Sequence, residues 1–559
     1  MERLSLPLGN SLNKSFNDSV SDTSFKKYVR FPCFIGIISK VVQKGLPIIS
    51  CSAKGMFPYK EFQAVVLAAG GGSRMTELTR GQYKCLLPIG NLPMLWYPLQ
   101  LLERVGFKEA IVIIAESMER NVSLALNDLN LKIKTDIVAV KNAEDLGTAD
   151  SIRLIHEKIY TDFLVISCDL ITDVDIREIL NLYRKHNASI TALMLPTPKI
   201  PDDFTTPGPK NKQKPEIDLI GICNETGRLI FLASASDFEE TIEISQPFLK
   251  KYPSFTMHSR LMDSHLYVIN KWVLNFLVQN KNFTTLKGEL LPYIVKKQFS
   301  KPPKQYVDDK NTSIVQTNSK DAVYHFAVEK SLDELIRKMS AYNDHDTDLE
   351  DTYHGDIIRC YAYVGDEKFG LRANTIQMYH LANTKISEWW NNDNNEQSSV
   401  PIIAPTATIR STQIQDCRVD NNALIDEKTS LKHTYIGPHV TIESKTTISQ
   451  SILMESAIVK QRCIIQNCIL GSGCIIEEGA ELKDCIVGYK QVVPPGSQYS
   501  REVLTDANDL IFYEQRVHQV LVSGGIKRIH CVGVVAAAPT TSKNRNVLNV
   551  DTHRRKCDH

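Results

Sequence analysis

The chain has 559 residues, 43% of them hydrophobic, so it can bury more than one sizeable core and is expected to form several domains. Its 65 basic and 64 acidic side chains nearly cancel, which gives no reason to expect direct contact with nucleic acid or a membrane surface. The 13 cysteines show neither C-x-x-C pairs nor zinc spacing, and no run of about 18 apolar residues occurs. The composition therefore predicts a multidomain protein of a reducing compartment such as the cytosol, without a membrane span.

Both ends of the chain differ from its middle. Residues 1–55 are basic and rich in serine, which is typical of an organellar transit peptide. The alternative is a leader that is not part of the working protein, because Met56 is well placed as a start. We predict that residues 1–61 lie outside the core and that residues 500–559, which are basic and show no sustained period, form a mostly disordered tail.

Between residues 62 and 300, short apolar runs alternate with amphipathic helix patterns. The predicted strands are Ala64–Ala68, Ala110–Ala115, Asp136–Val140, Phe163–Cys168 and Ser189–Leu195. The predicted helices are Pro93–Val105, Thr148–Ile159 and Asp173–His186. This alternation predicts an α/β domain with a doubly wound, Rossmann-like and mostly parallel sheet. Ligands of such sheets bind beyond the carboxyl ends of the strands.

Three glycines and two basic side chains follow the first predicted strand: Gly70, Gly71, Gly72, Arg74 and Lys84. Glycines let backbone N–H groups approach phosphate oxygens closely, and the two cations would neutralise the phosphates. Asp169 follows the fourth strand, where its carboxylate would hold a magnesium ion. A glycine-rich turn alone is often only a tight turn. In combination with these three charged side chains, it predicts a nucleotide site.

Four segments carry a family resemblance: LAAGGGSRM, KCLLPIGNLPM, GTADSIR and SCDLITD. They resemble the sugar-phosphate nucleotidyltransferase family over residues 62–300. The resemblance implies that Lys84 is the signature lysine, that Asp169 is the first metal aspartate, and that Gly147 and Thr148 line the base and ribose. The implied ligand is GTP, GDP or another nucleotide with magnesium, although no cofactor is expected to be required.

Three segments of the active family are missing. In the place of E-K-P the chain reads FLASASDFEETIEI, and Asp263, Ser264 and His265 stand in the place of N-A-G, where His265 would fill the space of a sugar ring. The best candidate for the second metal carboxylate is Asp366, in the poorly matching VGDEKFG. Metal and electrostatic terms supply several kcal/mol of transition-state stabilisation, and ~1.4 kcal/mol is tenfold in rate. We therefore expect no catalytic residues and a nucleotide site that is vestigial or regulatory.

The carboxy-terminal half begins with irregular segments. We predict a polar and acidic insertion at 301–356, an ordered continuation of the first domain at 357–385 and a linker at 386–400. Apolar residues then recur over 401–499 in steps of six, six and five, so that one column repeats every 17 residues: Val419, Ile436, Leu453, Leu470 and Val487. This period predicts a parallel β-helix of hexapeptide repeats with three short strands in each rung. That the β-helix is left-handed is implied by its resemblance to known hexapeptide-repeat proteins.

One face of each rung is a residue short, which the sequence alone does not explain. A second column of small residues should pack in the core instead of binding metal: Cys417, Thr434, Ser451, Cys468 and Cys485. His433 and His439 would suit acyl transfer, but neither has a matched acid in the sequence pattern. Assembly with other subunits is the use we expect of the flat sides of this helix.

A degenerate nucleotidyltransferase domain followed by such a β-helix narrows the resemblance. FQAVVLAAGGGSRM, LPMLWYPLQLLERVGF and SCDLITD are most similar to the gamma-subunit family of eukaryotic translation initiation factor 2B, over residues 62–514. That complex exchanges guanine nucleotides on initiation factor 2. The resemblance implies binding to the epsilon and other subunits and contact with factor 2. The alternatives are an active enzyme, such as one that makes GDP-mannose, and a stand-alone nucleotide sensor.

Overall fold

The computed structural model describes residues 61–300, 322–327, 356–392 and 402–505. Within these ranges the gaps are 91, 130, 142–145, 202–203, 210–216, 239–248, 250, 253 and 367. The predicted leader, most of the predicted insertion and most of the predicted tail thus lie outside the described residues. No helix in the described ranges is both long and apolar enough to cross a membrane.

The first domain is built from fourteen strands and nine helices in the described residues. The strands are β1 (Phe62–Leu67), β2 (Pro88–Ile89), β3 (Leu92–Pro93), β4 (Glu109–Ala115), β5 (Lys134–Val140), β6 (Asp162–Ser167), β7 (Leu170–Thr172), β8 (Ile190–Pro196), β9 (Asp218–Cys223), β10 (Leu229–Ser234), β11 (Phe255–His258), β12 (Leu261–Ile269), β13 (Cys360–Val364) and β14 (Gly370–Arg372). The helices are α1 (Thr76–Thr79), α2 (Trp96–Val105), α3 (Glu119–Asp128), α4 (Thr148–Leu154), α5 (Ile176–His186), α6 (Lys271–Gln279), α7 (Leu291–Lys297), α8 (Ala322–Ala327) and α9 (Ile376–Asn392). Short 3-10 turns lie at Lys84–Leu86, Glu116–Met118, His156–Lys158 and Ala235–Asp237, and a π-helical turn lies at Leu286–Leu290.

Seven of these strands form one mixed sheet in the order β13-β8-β12-β6-β1-β4-β5. All neighbours are parallel except β12, which runs antiparallel to both β6 and β8. Val65 and Val66 are both fully buried but belong to two different cores, one on each side of the sheet. A sheet covered on both faces needs strands that are apolar throughout, which is what the predicted runs show. The predicted doubly wound α/β fold is confirmed.

Some helix boundaries differ from the prediction. Helix α2 begins at Trp96, because Pro93 lies in β3 and pairs with Pro88. Helix α5 begins later than predicted because Asp175 caps it, accepting a hydrogen bond of 3.0 Å from the backbone N of Arg177. Helix α4 ends earlier than predicted and gives way to a 3-10 turn.

The second domain is the predicted left-handed parallel β-helix. Its strands are β15 (Thr408–Ile409), β16 (Gln413–Gln415), β17 (Arg418–Val419), β18 (Leu424–Ile425), β19 (Ser430–Lys432), β20 (Tyr435–Ile436), β21 (Thr441–Ile442), β22 (Thr447–Ser449), β23 (Ile452–Leu453), β24 (Ile458–Val459), β25 (Ile464–Gln466), β26 (Ile469–Leu470), β27 (Ile475–Ile476), β28 (Glu481–Lys483), β29 (Ile486–Val487), β30 (Val492–Val493), β31 (Gln498–Ser500) and β32 (Val503–Leu504). They form three parallel sheets of six strands each. The 17-residue column pairs in register, as in Val419 with Ile436 and Leu453 with Leu470.

Two predicted boundaries are wrong. The linker at 386–400 begins too early, because α9 continues to Asn392 and buries Ile386 in a core. The tail at 500–559 also begins too early, because β32 pairs with β29 and extends the β-helix to Leu504. Both boundaries are set by packing between distant segments, which the local sequence pattern does not show.

The short face of a rung ends at a corner where a side-chain hydrogen bond recurs. Each corner holds a residue in the left-handed backbone region, and these residues recur in steps of six, six and five, as at Asp416, Asn422 and Lys428. At the short corner the next residue donates a hydrogen bond to the carbonyl two residues before it: Ser451 Oγ lies 2.7 Å from the carbonyl O of Ser449. The same bond is made by Cys417, Thr434, Cys468 and Cys485. The short corner is therefore occupied by small side chains that donate to the backbone.

The predicted isolation of the β-helix histidines is wrong for one of them. Nδ1 of His433 lies 3.7 Å from a carboxylate oxygen of Asp416, which is the corner residue of the preceding rung. Both side chains are more than half exposed, so this pair is a surface contact between stacked corners, of a kind that contributes little to stability.

One face of the β-helix packs on the first domain. The outward side chains of the sheet that contains β17 and β32 are buried in a shared core with α2, β2 and α9: Tyr435, Ile452, Ile469 and Ile486. Tyr489 also packs on the loop before Lys84, where a Cβ at Gly81 would lie 2.0 Å from its ring. At the edge of this joint, Asn467 donates to Thr205 O at 3.0 Å. The joint is thus an internal interface of the chain.

We expect the short-corner bond to be worth a measurable part of the stability. Ser451 is buried, and its Oγ also accepts a bond of 3.1 Å from the backbone N of Cys468. Ser451→Ala leaves the buried backbone N of Cys468 without its partner, whereas the carbonyl O of Ser449 keeps the bond of 2.9 Å that it accepts from the backbone N of Asn467. The free energy of unfolding in a urea titration should therefore fall by about 1–3 kcal/mol. Thr447→Ala, at an exposed outward position of the same rung, should change it by less than ~0.5 kcal/mol. Equal effects would contradict this role.

The joint should weaken in acid. Burial lowers the pKa of His380 from 6.5 to about 4, against opposing effects of Asn467 and Asp484. Because the unfolded chain takes up a proton near pH 6.5 and the folded chain does not, stability should fall as the pH drops from 6.5 towards 4, by up to ~1.4 kcal/mol per pH unit. His380→Gln should flatten this slope in urea titrations at several pH values. An unchanged slope would contradict the assignment, and His439→Gln, at an exposed corner, is the matched control.

Candidate nucleotide-binding site

The glycine loop after β1 is open on its outer side. Gly70 and Gly71 are exposed, and a Cβ at either position would meet no atom within 4 Å. Gly72 has φ +76°, and a Cβ there would lie 2.8 Å from Cγ2 of Thr79, so the turn itself requires glycine. Arg74 is exposed on the same loop. The loop has the accessible backbone that a phosphate would need, and nucleotide binding stays a prediction.

Lys84 and Asp169 are brought into direct contact. Lys84 opens a short 3-10 turn, and its Nζ lies 2.5 Å from Oδ2 of Asp169. Asp169 follows β6, which pairs in parallel with β1 in the sheet. Its side chain is only 1% exposed. The two charges predicted for the phosphates and the metal ion thus form an ion pair with each other.

A third charged side chain, which the sequence did not reveal, completes this pair. Arg372 ends β14, which is antiparallel to β7 and sets Arg372 opposite Leu170. Its Nε lies 3.2 Å from Oδ1 of Asp169 and its Nη2 lies 3.1 Å from Oδ2. Burial alone would raise the pKa of Asp169, but Arg372 and Lys84 outweigh it and hold the pKa well below its usual value.

This arrangement does not fit a magnesium site. Each carboxylate oxygen of Asp169 already accepts from a cation, so a metal ion there would face two positive charges at contact distance. The described residues contain no cluster of three or more side chains able to hold a metal. Asp366 is exposed, and the segment that carries it contributes Arg372 to the site instead of a carboxylate.

The segment in the place of N-A-G forms a bulge in β12. His265 adopts φ +57°, the left-handed region that favours glycine. Its backbone N donates to Oδ1 of Asp263 at 2.9 Å, and the Tyr267 hydroxyl donates to Oδ2 at 2.6 Å. Ser264 Oγ donates to the carbonyl O of Leu193 at 2.7 Å. The polar side chains of Asp263 and Ser264 thus already form hydrogen bonds within the protein, which leaves few polar groups of the bulge to bind a sugar.

A second buried ion pair lies beside the bulge. Lys287 Nζ lies 2.9 Å from Asp218, whose Oδ2 also accepts from the backbone N of Asp263 at 3.1 Å. Nε2 of His265 is buried and has no hydrogen-bond partner among the described residues. Burial, followed by the charge of Arg372, holds the pKa of His265 well below its usual value, so the imidazole is neutral at physiological pH.

Gly147 and Thr148 serve a structural purpose in this fold. A Cβ at Gly147 would lie 2.0 Å from the carbonyl O of Thr284. That carbonyl accepts from the backbone N of Ala149 at 2.9 Å, and Thr148 Oγ1 accepts from Leu286 N at 2.9 Å. Both residues therefore dock the start of α4 on a neighbouring segment, and their predicted contact with base and ribose stays a prediction.

Comparison with known proteins agrees with this architecture. Residues 63–203 match the family model described as nucleotidyl transferase, and residues 413–500 match the GMPPB C-terminal domain. "Translation initiation factor eIF2B subunit gamma" of Caenorhabditis elegans is 33% identical over 243 residues, 43% of this chain and 59% of the relative. Its Schizosaccharomyces pombe counterpart is 34% identical over 249 residues, 43% of this chain and 52% of the relative. The chain is similar to eIF2B gamma subunits. The predicted resemblance is confirmed.

The extent of these matches differs. A gamma subunit of Dictyostelium discoideum is 25% identical over 410 residues, which is 68% of this chain and 88% of that relative. In the first two relatives the chain spans little more than half of their length. A match to a protein named probable mannose-1-phosphate guanylyltransferase 1, from rice, is 27% identical and covers 136 residues, only 24% of this chain. The similarity to gamma subunits is therefore the more extensive one.

Removing the Asp169 carboxylate should strongly destabilise the first domain. Asp169→Asn leaves Lys84 and Arg372, both nearly buried, without their counter-charge, which should cost about 3–5 kcal/mol in the free energy of unfolding. Asp366→Asn is the matched control, because this aspartate is exposed and lies in the segment that carries Arg372. A denaturant titration in which the two variants unfold alike would contradict a structural role for Asp169.

Proposed function

We propose that this chain is a non-catalytic, gamma-type subunit of the initiation factor 2B guanine-nucleotide exchange complex and acts in the cytosol. It binds the epsilon subunit and other subunits of the complex, contacts initiation factor 2, and so supports GDP/GTP exchange without catalysing it alone. The similarity to proteins named as eIF2B gamma subunits supports the complex, and the geometry of the site supports the lack of catalysis.

One observation carries the non-catalytic part of the proposal. Asp169, the aspartate that an active nucleotidyltransferase would use for its metal ion, is neutralised by Lys84 and Arg372. An enzyme of this class transfers a nucleotidyl group with metal and cationic help at the developing pyrophosphate charge. With Lys84 and Arg372 both bound to the aspartate, Asp169 is not available to hold the metal ion. The glycine loop is then best explained as a vestigial or regulatory nucleotide site.

The competing function is an active sugar-phosphate nucleotidyltransferase that makes GDP-mannose. The match of residues 413–500 to the GMPPB C-terminal domain favours it, as does the open loop at Gly70 and Gly71. Against it stands the bulge at His265, where Asp263 and Ser264 are already hydrogen-bonded within the protein. An active enzyme would need these groups, or others in their place, to face a sugar phosphate.

Affinity capture tests the assembly. The full-length tagged chain, expressed in its own cells and recovered at physiological salt, should bring down a protein similar to the epsilon subunit together with initiation factor 2. Added to purified epsilon subunit, it should speed GDP release from factor 2 beyond the rate with epsilon alone, whereas the chain without epsilon should leave the spontaneous rate unchanged. Recovery of the chain alone would count against the proposal.

A pyrophosphate assay tests the competing function. Incubated with GTP, mannose-1-phosphate and magnesium, the chain should release no pyrophosphate above background, while a mannose-1-phosphate guanylyltransferase at the same concentration turns over at an ordinary enzyme rate of about 10 per second. Turnover by this chain at a comparable rate, lost in Asp169→Asn, would establish the enzyme and refute the proposed function.

A further inference from the structure

The position of Arg372 is fixed by the backbone on both sides. Strand β14 pairs with β7 in the register that sets Arg372 opposite Leu170, the residue after Asp169. The backbone N of Ala373 donates to the carbonyl O of Asp169 at 2.9 Å, and Thr172 Oγ1 donates to the carbonyl O of Phe369 at 2.7 Å. The pairing of β14 with β7 and these two hydrogen bonds therefore fix the position of Arg372 beside the carboxylate of Asp169.

The contact between the two side chains has the geometry of a strong ion pair. Nε and Nη2 of Arg372 approach different oxygens of Asp169, at 3.2 and 3.1 Å, in the forked arrangement that arginine forms with carboxylates. The side chains are 12% and 1% exposed, so water screens the pair little. A guanidinium keeps its charge at any physiological pH.

We propose that Arg372 replaces the divalent metal ion of this site, so that the site binds a nucleoside polyphosphate without metal. The ion-pair cluster of Lys84, Arg372 and Asp169 keeps a net charge of 2 − 1 = +1 for the phosphates. The open amides at Gly70 and Gly71 supply uncharged donors. The inference that the ligand is a nucleotide rests on the proposed function of this site. The inference that Arg372 replaces the metal ion does not.

Nucleotide binding provides the first test. GTP is titrated calorimetrically into the full-length chain in magnesium buffer and again in EDTA, and the two affinities should be equal. Arg372→Gln should weaken binding in EDTA by about tenfold, and magnesium should restore part of the loss. Wild-type binding that requires magnesium would overturn the proposal.

Two further variants separate charge from fold. Arg372→Lys keeps the cation and should keep binding independent of magnesium, while Arg74→Ala should weaken GTP by the same factor in both buffers. If Arg372→Lys loses as much affinity as Arg372→Gln, the charge of Arg372 is not what matters and the proposal fails. Circular dichroism at the titration temperature establishes that each variant is folded.

Manganese binding decides the question without a nucleotide. In a titration followed by electron paramagnetic resonance, the wild-type chain should bind no Mn²⁺ through Asp169. A wild-type Mn²⁺ site that is lost in Asp169→Asn, while circular dichroism shows this variant to be folded at the titration temperature, would overturn the proposal even if GTP binding proves independent of magnesium. If GTP binds in neither buffer, the nucleotide part of the proposed function fails, and the Mn²⁺ titration still shows whether Arg372 has replaced the metal ion.

Discussion

The buried carboxylate of Asp169 holds the candidate site together. It joins three parts of the chain: the loop that leads to Lys84, the end of β6, and β14 with Arg372. Burying a charge is costly unless opposite charges and hydrogen bonds compensate it, and here two cations do so. Because β14 lies beyond the predicted insertion, this ion-pair network also ties the later segment to the first half of the domain.

Much of the fold could be predicted from the sequence. Strands such as β1 and β4 are continuous apolar runs because both faces of the sheet are covered, and the 17-residue period at Val419 and Ile436 follows from stacking. Arg372 could not be predicted, because its place depends on the pairing of β14 with β7, which sets Arg372 opposite the distant Leu170. The antiparallel direction of β12 and the burial of Ile386 likewise depend on packing between distant segments.

The joint limits how the β-helix can take part in assembly. One of its three sheets is buried against the first domain through side chains such as Ile452 and Ile469, so any partner that binds the β-helix would have to use the two other sheets or the ends. The same joint touches the loop before Lys84, where Tyr489 packs on Gly81 and Ser472 donates to the side chain of Gln82 at 3.2 Å. A ligand that moves this loop would therefore change contacts with the β-helix directly.

The loop, the lysine and the aspartate first suggest an enzyme, and the structure gives a second reason for their presence. In this arrangement Asp169 is needed to neutralise Lys84 and Arg372, and Gly72 is needed for a left-handed turn against Thr79. A residue required for charge balance or backbone geometry looks the same in a sequence as one required for catalysis. What distinguishes them is the partner of the carboxylate, and in this chain that partner is a guanidinium.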